Sequence, residues 1–259
     1  MFKIQRYFNS FTYFSYAIKS SFLEGSENSG AVDLPLLYKQ KPMHVRYLSE
    51  NHSILSHFLS QIRNVDVQKD SMRFRRNIER IGEIMAYEIS RELEYTAIEV
   101  RTPLGTKRMT HIETPVVLCS ILRAGLPLHT GFLNYFDDAQ NGFISAYRHH
   151  YNNDDEFEIK VEYRAMPAIK GKTLIIVDPM LATGQSLAAV IDVLLQSETP
   201  DNVHIAAVIA APEGIDLLEQ KLPDNYYLWI ASLDDRLNEK NYIIPGLGDA
   251  GDLAYGPKL

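Results

Sequence analysis

Between Thr173 and Leu195 the chain changes from a buried strand to a helix within a few residues, with an acid at the changeover. The run Thr173-Leu-Ile-Ile-Val177 is entirely apolar or β-branched, the pattern of a parallel strand covered on both faces. Asp178 stands where that strand ends. A small polar turn, Ala182-Thr-Gly-Gln-Ser186, follows, and Leu187, Val190, Ile191, Leu194 and Leu195 then recur at helical spacing. A strand, a short loop and a helix N-terminus make an anion site, because free N–H groups and the helix dipole both favour a phosphate there. Thr183 and Ser186 add hydroxyl donors, and Gly184 permits close approach of the backbone. Asp178 would repel a phosphate. A carboxylate in that place either accepts hydrogen bonds from sugar hydroxyls or serves a bound cation.

The same alternation runs through the rest of the chain. Strand patterns cover Val116–Leu122, Phe143–Tyr147, His204–Ala211 and Tyr227–Ser232, and helical patterns cover Leu126–Tyr135, Ser186–Gln196 and Glu213–Lys221. They predict an α/β fold with an open, mostly parallel sheet flanked by helices on both faces. Arg73 to Leu93 reads as an amphipathic helix with Phe74, Ile78, Ile81, Met85 and Ile89 on its apolar stripe. Its arginines, Arg73, Arg75, Arg76 and Arg80, form either a solvated, salt-bridged face or a contact for a partner subunit or an anionic effector. With 259 residues the chain has enough length for one domain and an appendage. A formal charge of −7 argues against a general nucleic-acid binder, and it means that an anionic substrate must be held by local donors. No run of about 18 apolar residues occurs. The single cysteine, Cys119, lies in a buried-strand pattern, as a packed thiol in a reducing cytosol would.

Residues 1–31 read as an N-terminal extension and 32–259 as the folded domain. The extension is crowded with aromatics, carries Lys3, Arg6 and Lys19 with no acid before Glu24, and leads into a linker at Gly25-Ser-Glu-Asn-Ser-Gly30. An extra leader from an upstream start, a targeting segment and an oligomerisation arm are the three readings; the first and third are favoured.

Asp178-Pro-Met-Leu-Ala-Thr-Gly184 resembles the phosphoribosyl-diphosphate (PRPP) binding motif of type I phosphoribosyltransferases, in the form used by the uracil branch. Asn241-Tyr-Ile-Ile-Pro-Gly-Leu-Gly-Asp-Ala-Gly-Asp252 is similar to the uracil-binding loop of that branch. Ser120-Ile-Leu-Arg-Ala-Gly-Leu126, Ala146-Tyr-Arg148 and Ala210-Ala-Pro-Glu-Gly-Ile215 agree as well, in the family's order. The resemblance implies transfer of the phosphoribosyl group from PRPP to uracil, giving UMP and diphosphate, on a phosphoribosyltransferase-type sheet with a flexible hood or hairpin over the site. It places Arg123, Arg148, Asp178, Pro179, Met180, Leu181, Ala182, Thr183, Gly184, Gln185, Ser186 and Asp249 at PRPP, and Ile243, Gly248, Asp249 and Ala250 at uracil. Asp249 and Arg148 are its catalytic candidates. Mg²⁺ is implied through the diphosphate and water, with no protein-only cage. The polar stretch His149–Glu158 is either the hood or an ordinary exposed hairpin. A cytoplasmic homodimer or higher homo-oligomer is implied, with GTP as an effector in some relatives. Gln185, Ser120 and Leu253 depart from the family's usual glycine, proline and basic residue. A PRPP sensor without turnover and a transferase for another base are the competing readings; no G-x-G-x-x-G follows a strand, which disfavours a dinucleotide-binding enzyme.

Overall fold

In the computed structural model the described residues are 43–150, 157–196, 198–223 and 225–258. The N-terminal extension expected over 1–31 and the centre of the polar stretch, 151–156, lie outside them. The elements run β1 (His44–Tyr47), a 3₁₀ turn (Leu48–Glu50), α1 (Ile54–Arg63), α2 (Ser71–Ser90), β2 (Tyr95–Thr102), β3 (Gly105–Ile112), β4 (Val116–Leu122) and α3 (Gly125–Leu133). There follow β5 (Gln140–His150), β6 (Phe157–Ala165), β7 (Thr173–Val177), β8 (Met180–Leu181), α4 (Gln185–Leu195), β9 (Asn202–Ala210) and α5 (Pro212–Lys221). The chain closes with β10 (Tyr226–Leu233), β11 (Arg236–Leu237), β12 (Ile243–Ile244) and α6 (Ala250–Tyr255).

One mixed, mostly parallel sheet has the order β1-β10-β9-β7-β4-β5-β6, with β8 pairing to β9 off that path. Only β6 runs antiparallel to its neighbour. Side chains of the central strands alternate between two cores. Leu118, Ile175, Val177, Ala206 and Trp229 pack with α1, α2 and α3, whereas Val117, Cys119, Ile176, Ile205 and Leu228 pack with α4 and α5. The expected parallel sheet with helices on both faces is therefore the observed one. Local chemistry sets the helix starts: Ser53 Oγ accepts from Leu55 N at 3.2 Å, Asp70 Oδ1 accepts from Arg73 N at 3.1 Å, and Pro212 opens α5.

The arginines of α2 are engaged within the chain. Arg76 pairs with Glu79 and Glu83, Arg80 donates to Asn77 Oδ1 at 3.2 Å, and Arg75 reaches Ala254 O of α6 at 2.5 Å. Three sequence expectations need correcting. The strand expected to stop at Tyr147 continues to His150, because antiparallel pairing with β6 carries it as far as His150 opposite Phe157. Arg148, His149 and His150 therefore belong to a strand rather than a loop. The sequence reading missed β8, which lies between Asp178 and the turn at Ala182 and whose Met180 and Leu181 lie beside Ile209 and Ala210. The third concerns α2, which begins at Ser71 and ends at Ser90 rather than Leu93.

His204 of β9 lies in the buried layer, stacked on Tyr227 at 4.7 Å between ring centroids, with its Nδ1 accepting from Trp229 Nε1 at 3.1 Å. Burial pushes its pKa down to about 4. An unfolded imidazole titrates near 6.5, so between about pH 6.5 and 4 the unfolded chain binds a proton that the folded chain refuses. Stability from this residue is complete above that window and is lost as pH falls through it, by roughly 3 kcal/mol in all. Urea denaturation between pH 7.5 and 4.5 should show this loss in the parent and a shallower slope in His204→Phe.

Candidate active site

The carboxyl ends of two neighbouring strands create the site. β4 and β7 are parallel, with Ser120 opposite Val177, so both strands end at the same edge of the sheet and Arg123 and Asp178 line the same cleft. From β4 the chain crosses to β5 on one side, and from β7 it crosses to β9 on the other. Ligands of open α/β sheets bind where the direction reverses in this way. A cleft of about 270 Å³ opens there, lined by Arg123, Asp178, Pro179, Met180, Ser186, Asp249, Ala250 and Lys258 over a floor of Ile121 and Leu122. A larger hollow of about 590 Å³ lies beside β1 and α2, but its Arg46 and Arg91 are already paired with Glu92 and Glu88.

Asp178 keeps a partial opening to solvent through the cleft, yet protein atoms surround it closely. That burial pushes its carboxyl up to about 7, against the lowering effect of Met180 N, which donates to Oδ1 at 3.3 Å. Beyond Asp178 the chain is tied down on the sheet side. Pro179 O accepts from Ile209 N at 3.0 Å and Leu181 O from Ala211 N at 2.9 Å. The Leu181 side chain is in the core, so this residue can face a ligand only through its main chain. Ala182, Thr183 and Gly184 turn the chain into α4, with Thr183 Oγ1 accepting from Gln185 N at 3.4 Å. Gln185 points to solvent and Ser186 to the cleft.

The turn rests on α5. Gly184 has φ +76°, and a Cβ there would stand 2.9 Å from Gly214 O. A Cβ on Gly214 would stand 2.4 Å from Ala182 O. The Ala210–Ile215 motif thus backs the Ala182–Gly184 turn: its glycine lets α5 approach closely enough to support it.

Arg123 points at the C-terminal segment. Its Nη2 lies 3.0 Å from Asp252 Oδ1, and both Nη atoms are 3.4 Å from Gly256 O. Its Nε is buried with no hydrogen-bond partner among the described residues. Asp249 caps α6, with Oδ1 accepting from Asp252 N at 2.9 Å. Leu253 packs against the core, so the basic residue common at that position has no counterpart there, whereas Lys258 lines the cleft. The sequence signal for Lys258 is slight, a single lysine two residues beyond Gly256.

Ile243 is buried, β12 pairs it with Leu237 of β11, and it is not among the residues that line the cleft. The chain then turns through Gly246 and Gly248, with φ +63° and +95°. Arg148 sits within β5 opposite Ile159. His129 is buried in α3 with Nε2 2.7 Å from Asn141 Oδ1, and burial lowers its pKa, so it is a structural histidine. Burial also pushes the Cys119 thiol up to about 12.

A sequence model of the uracil phosphoribosyltransferase family matches residues 49–257. A uracil phosphoribosyltransferase of Porphyromonas gingivalis is 50% identical over 217 residues, 84% of this chain and 100% of the relative. One from Thermococcus gammatolerans is 37% identical over 216 residues, 82% of this chain and 94% of the relative. The solved structure of a protein from Aquifex aeolicus superposes with a TM-score of 0.73 at 33% identity, covering 82% of this chain and 98% of that one.

Gly214→Ala would drive a methyl group against the Ala182 carbonyl and displace the turn. Loss of one charge-assisted hydrogen bond to a phosphate costs about 1.5–3 kcal/mol, tenfold or more in Kd. Calorimetric titration should show PRPP binding weakened on that scale, with the far-ultraviolet circular dichroism unchanged.

Proposed function

The chain belongs to the uracil phosphoribosyltransferase family, and from that premise we propose how its own residues divide the labour of the reaction. It is a pentosyltransferase of pyrimidine salvage: the phosphoribosyl group passes from PRPP to uracil, giving UMP and diphosphate. The observation that carries the assignment of residues is the single cleft in which Asp178 and Ser186 face Asp249 and Ala250.

The bond from ribose C1′ to the diphosphate oxygen breaks as the bond from C1′ to uracil N1 forms, with positive charge building on the ribose. Such a step needs aligned reactants, excluded water and a neutralised leaving group more than it needs covalent help. The main chain from Ala182 to Ser186, with the Thr183 and Ser186 hydroxyls, holds the 5′-phosphate at the start of α4. Asp178, when ionised, accepts from the ribose hydroxyls; Pro179, Met180 and Leu181 set its distance from that loop. Arg123 and Arg148 take the diphosphate, for which planar guanidinium groups are suited. Arg123 exchanges its Asp252 contact for diphosphate oxygens. The main chain of Ile243, Gly248 and Ala250 reads the uracil edge, and Asp249 stands between base and ribosyl diphosphate. The β5–β6 hairpin closes over the ligands, and the N1 proton leaves with the diphosphate.

Mg²⁺ suits this cleft as a passenger on the substrate. It would be held by diphosphate oxygens and water, with Asp178 and Asp249 lining the space around it. When bound it would offset the charge of the departing diphosphate.

A homodimer is supported by the β2–β3 ribbon. It is exposed on both faces over nearly its whole length, with Ile98 paired to Met109 across the strands and Leu104 at the tip. A lone two-stranded ribbon is marginal in water, and a second copy would cover it. GTP as an activator rests on the resemblance, as does a cytosolic location; among the described residues no helix is long and apolar enough to cross a membrane.

UMP formation from uracil and PRPP with Mg²⁺ tests the assignment. Asp249→Asn, which can still cap α6, should lower kcat/KM by about a hundredfold or more if the carboxylate acts on the transition state. The parent's kcat/KM for PRPP should rise as pH passes upward through about 7, where Asp178 ionises, and Asp178→Asn should lose that limb. Ile98→Asp combined with Met109→Asp should convert a dimer to monomers in analytical ultracentrifugation. An unchanged sedimentation coefficient would reject the ribbon as the interface.

A further inference from the structure

We infer that Arg63, at the end of α1 and outside every motif at the site, is a positioning residue for the base loop and acts through Asp234. The inference rests on the assignment of Ile243–Ala250 to uracil made above. Asp234 follows β10 directly, and its side chain is only 3% exposed. Arg63 grips it with both terminal nitrogens: Nη1 is 2.8 Å from Oδ2, and Nη2 donates to Oδ1. The pair is anchored to the sheet, since Nη2 also donates to Ser232 Oγ at 3.0 Å and Asp234 N donates to Ala210 O at 2.8 Å.

The loop is held at one residue. Gly246 N donates to Asp234 Oδ2 at 2.8 Å, and Gly246 O accepts from Arg63 Nη1 at 3.0 Å. Both main-chain groups of a single glycine are therefore spoken for by one ion pair. Gly246 lies between Ile243 and Gly248, residues whose main chain is assigned to the base. Its φ of +63° and the 2.2 Å that would separate a Cβ from Ile243 O leave no room for another residue. The flanks are fastened as well: Asp235 N donates to Ile244 O at 3.0 Å, and Gln68, with its amide turned to satisfy both atoms, donates to Leu247 O at 2.8 Å. Apolar groups of similar volume could often fill a buried site at equal stability. What the ion pair adds is direction: its donor Nη1 and its acceptor Oδ2 meet the two main-chain groups of Gly246 and fix where the loop sits. Selection of a base by main-chain groups fails when those groups drift by about 1 Å.

Steady-state kinetics on the full chain tests this with each substrate varied in turn. Arg63→Gln should raise KM for uracil about tenfold or more, the range in which supporting partners of ligand groups act, while Kd for PRPP stays at the parent value. Arg63→Lys should fall between, because a point charge cannot grip both carboxylate oxygens. An unchanged uracil KM overturns the inference, and so does a parallel rise for both substrates with a lowered melting temperature, which marks a purely structural role. If Arg63→Gln does not fold, Arg63→Lys decides by hydrogen exchange: protection lost at residues 243–248 and kept in β4 and β7 supports the inference, and uniform loss or no loss overturns it. Gly246→Ala separates this failure from failure of the base-loop assignment. A raised uracil KM there with normal Arg63 variants removes only the positioning role, and a normal uracil KM in Gly246→Ala removes the assignment itself.

Discussion

Burial of β7 on all sides organises the molecule. Thr173 to Val177 lies between β4 and β9 with every residue buried, so no charged side chain can appear until the strand leaves the sheet. The first place for a charge is its carboxyl end, and Asp178 occupies it. Parallel pairing then brings the end of β4 to the same edge, where Arg123 lines the same cleft as that acid. The helices that cover the sheet start or finish around this edge, and α4 directs its N-terminus toward it.

The site is assembled from loops that support one another rather than from one rigid element. The Ala182–Gly184 turn leans on Gly214 of α5. Arg123 reaches across to Asp252 and Gly256, so the residue assigned to the diphosphate also touches the helix that follows the base loop. On that assignment an incoming diphosphate competes with Asp252 for one guanidinium, which would couple its binding to the C-terminal segment. The chain's negative net charge makes such local donors decisive, because no general positive field exists to hold an anion in place.

Electrostatics within the fold also separates working from structural titratable groups. Asp178, in the cleft, is moved to a pKa at which a change of protonation alters its role from acceptor to donor. His129, His204 and Cys119 are shifted in the direction that keeps them neutral, and each is packed in the core with no opening to the cleft. A perturbed pKa marks function only where the group also meets a ligand-sized space.

The parts of the fold legible in the sequence are those governed by short-range periodicity. Val116–Leu122 and Thr173–Val177 end where their apolar runs end, and α4 begins where the small polar turn stops, because burial on both faces and helical spacing leave a signature within a few residues. Of the candidate residues at the cleft, Asp178 and Ser186 were legible for the same reason, at a strand end and a helix start, whereas Arg123, Asp249 and Ala250 were singled out by the family resemblance. Elements whose existence depends on distant partners were not. β8 forms only because Ile209 and Ala210 lie alongside it, β5 reaches Arg148 and beyond only because β6 returns, and the exposed β2–β3 ribbon has no buried face to betray it. The pairing of Arg63 with Asp234 across 171 residues has no local pattern at all. An arginine at a helix end and an aspartate after a strand are common surface features in sequence, and only the packing of α1 against the end of β10 turns them into a buried clamp on Gly246.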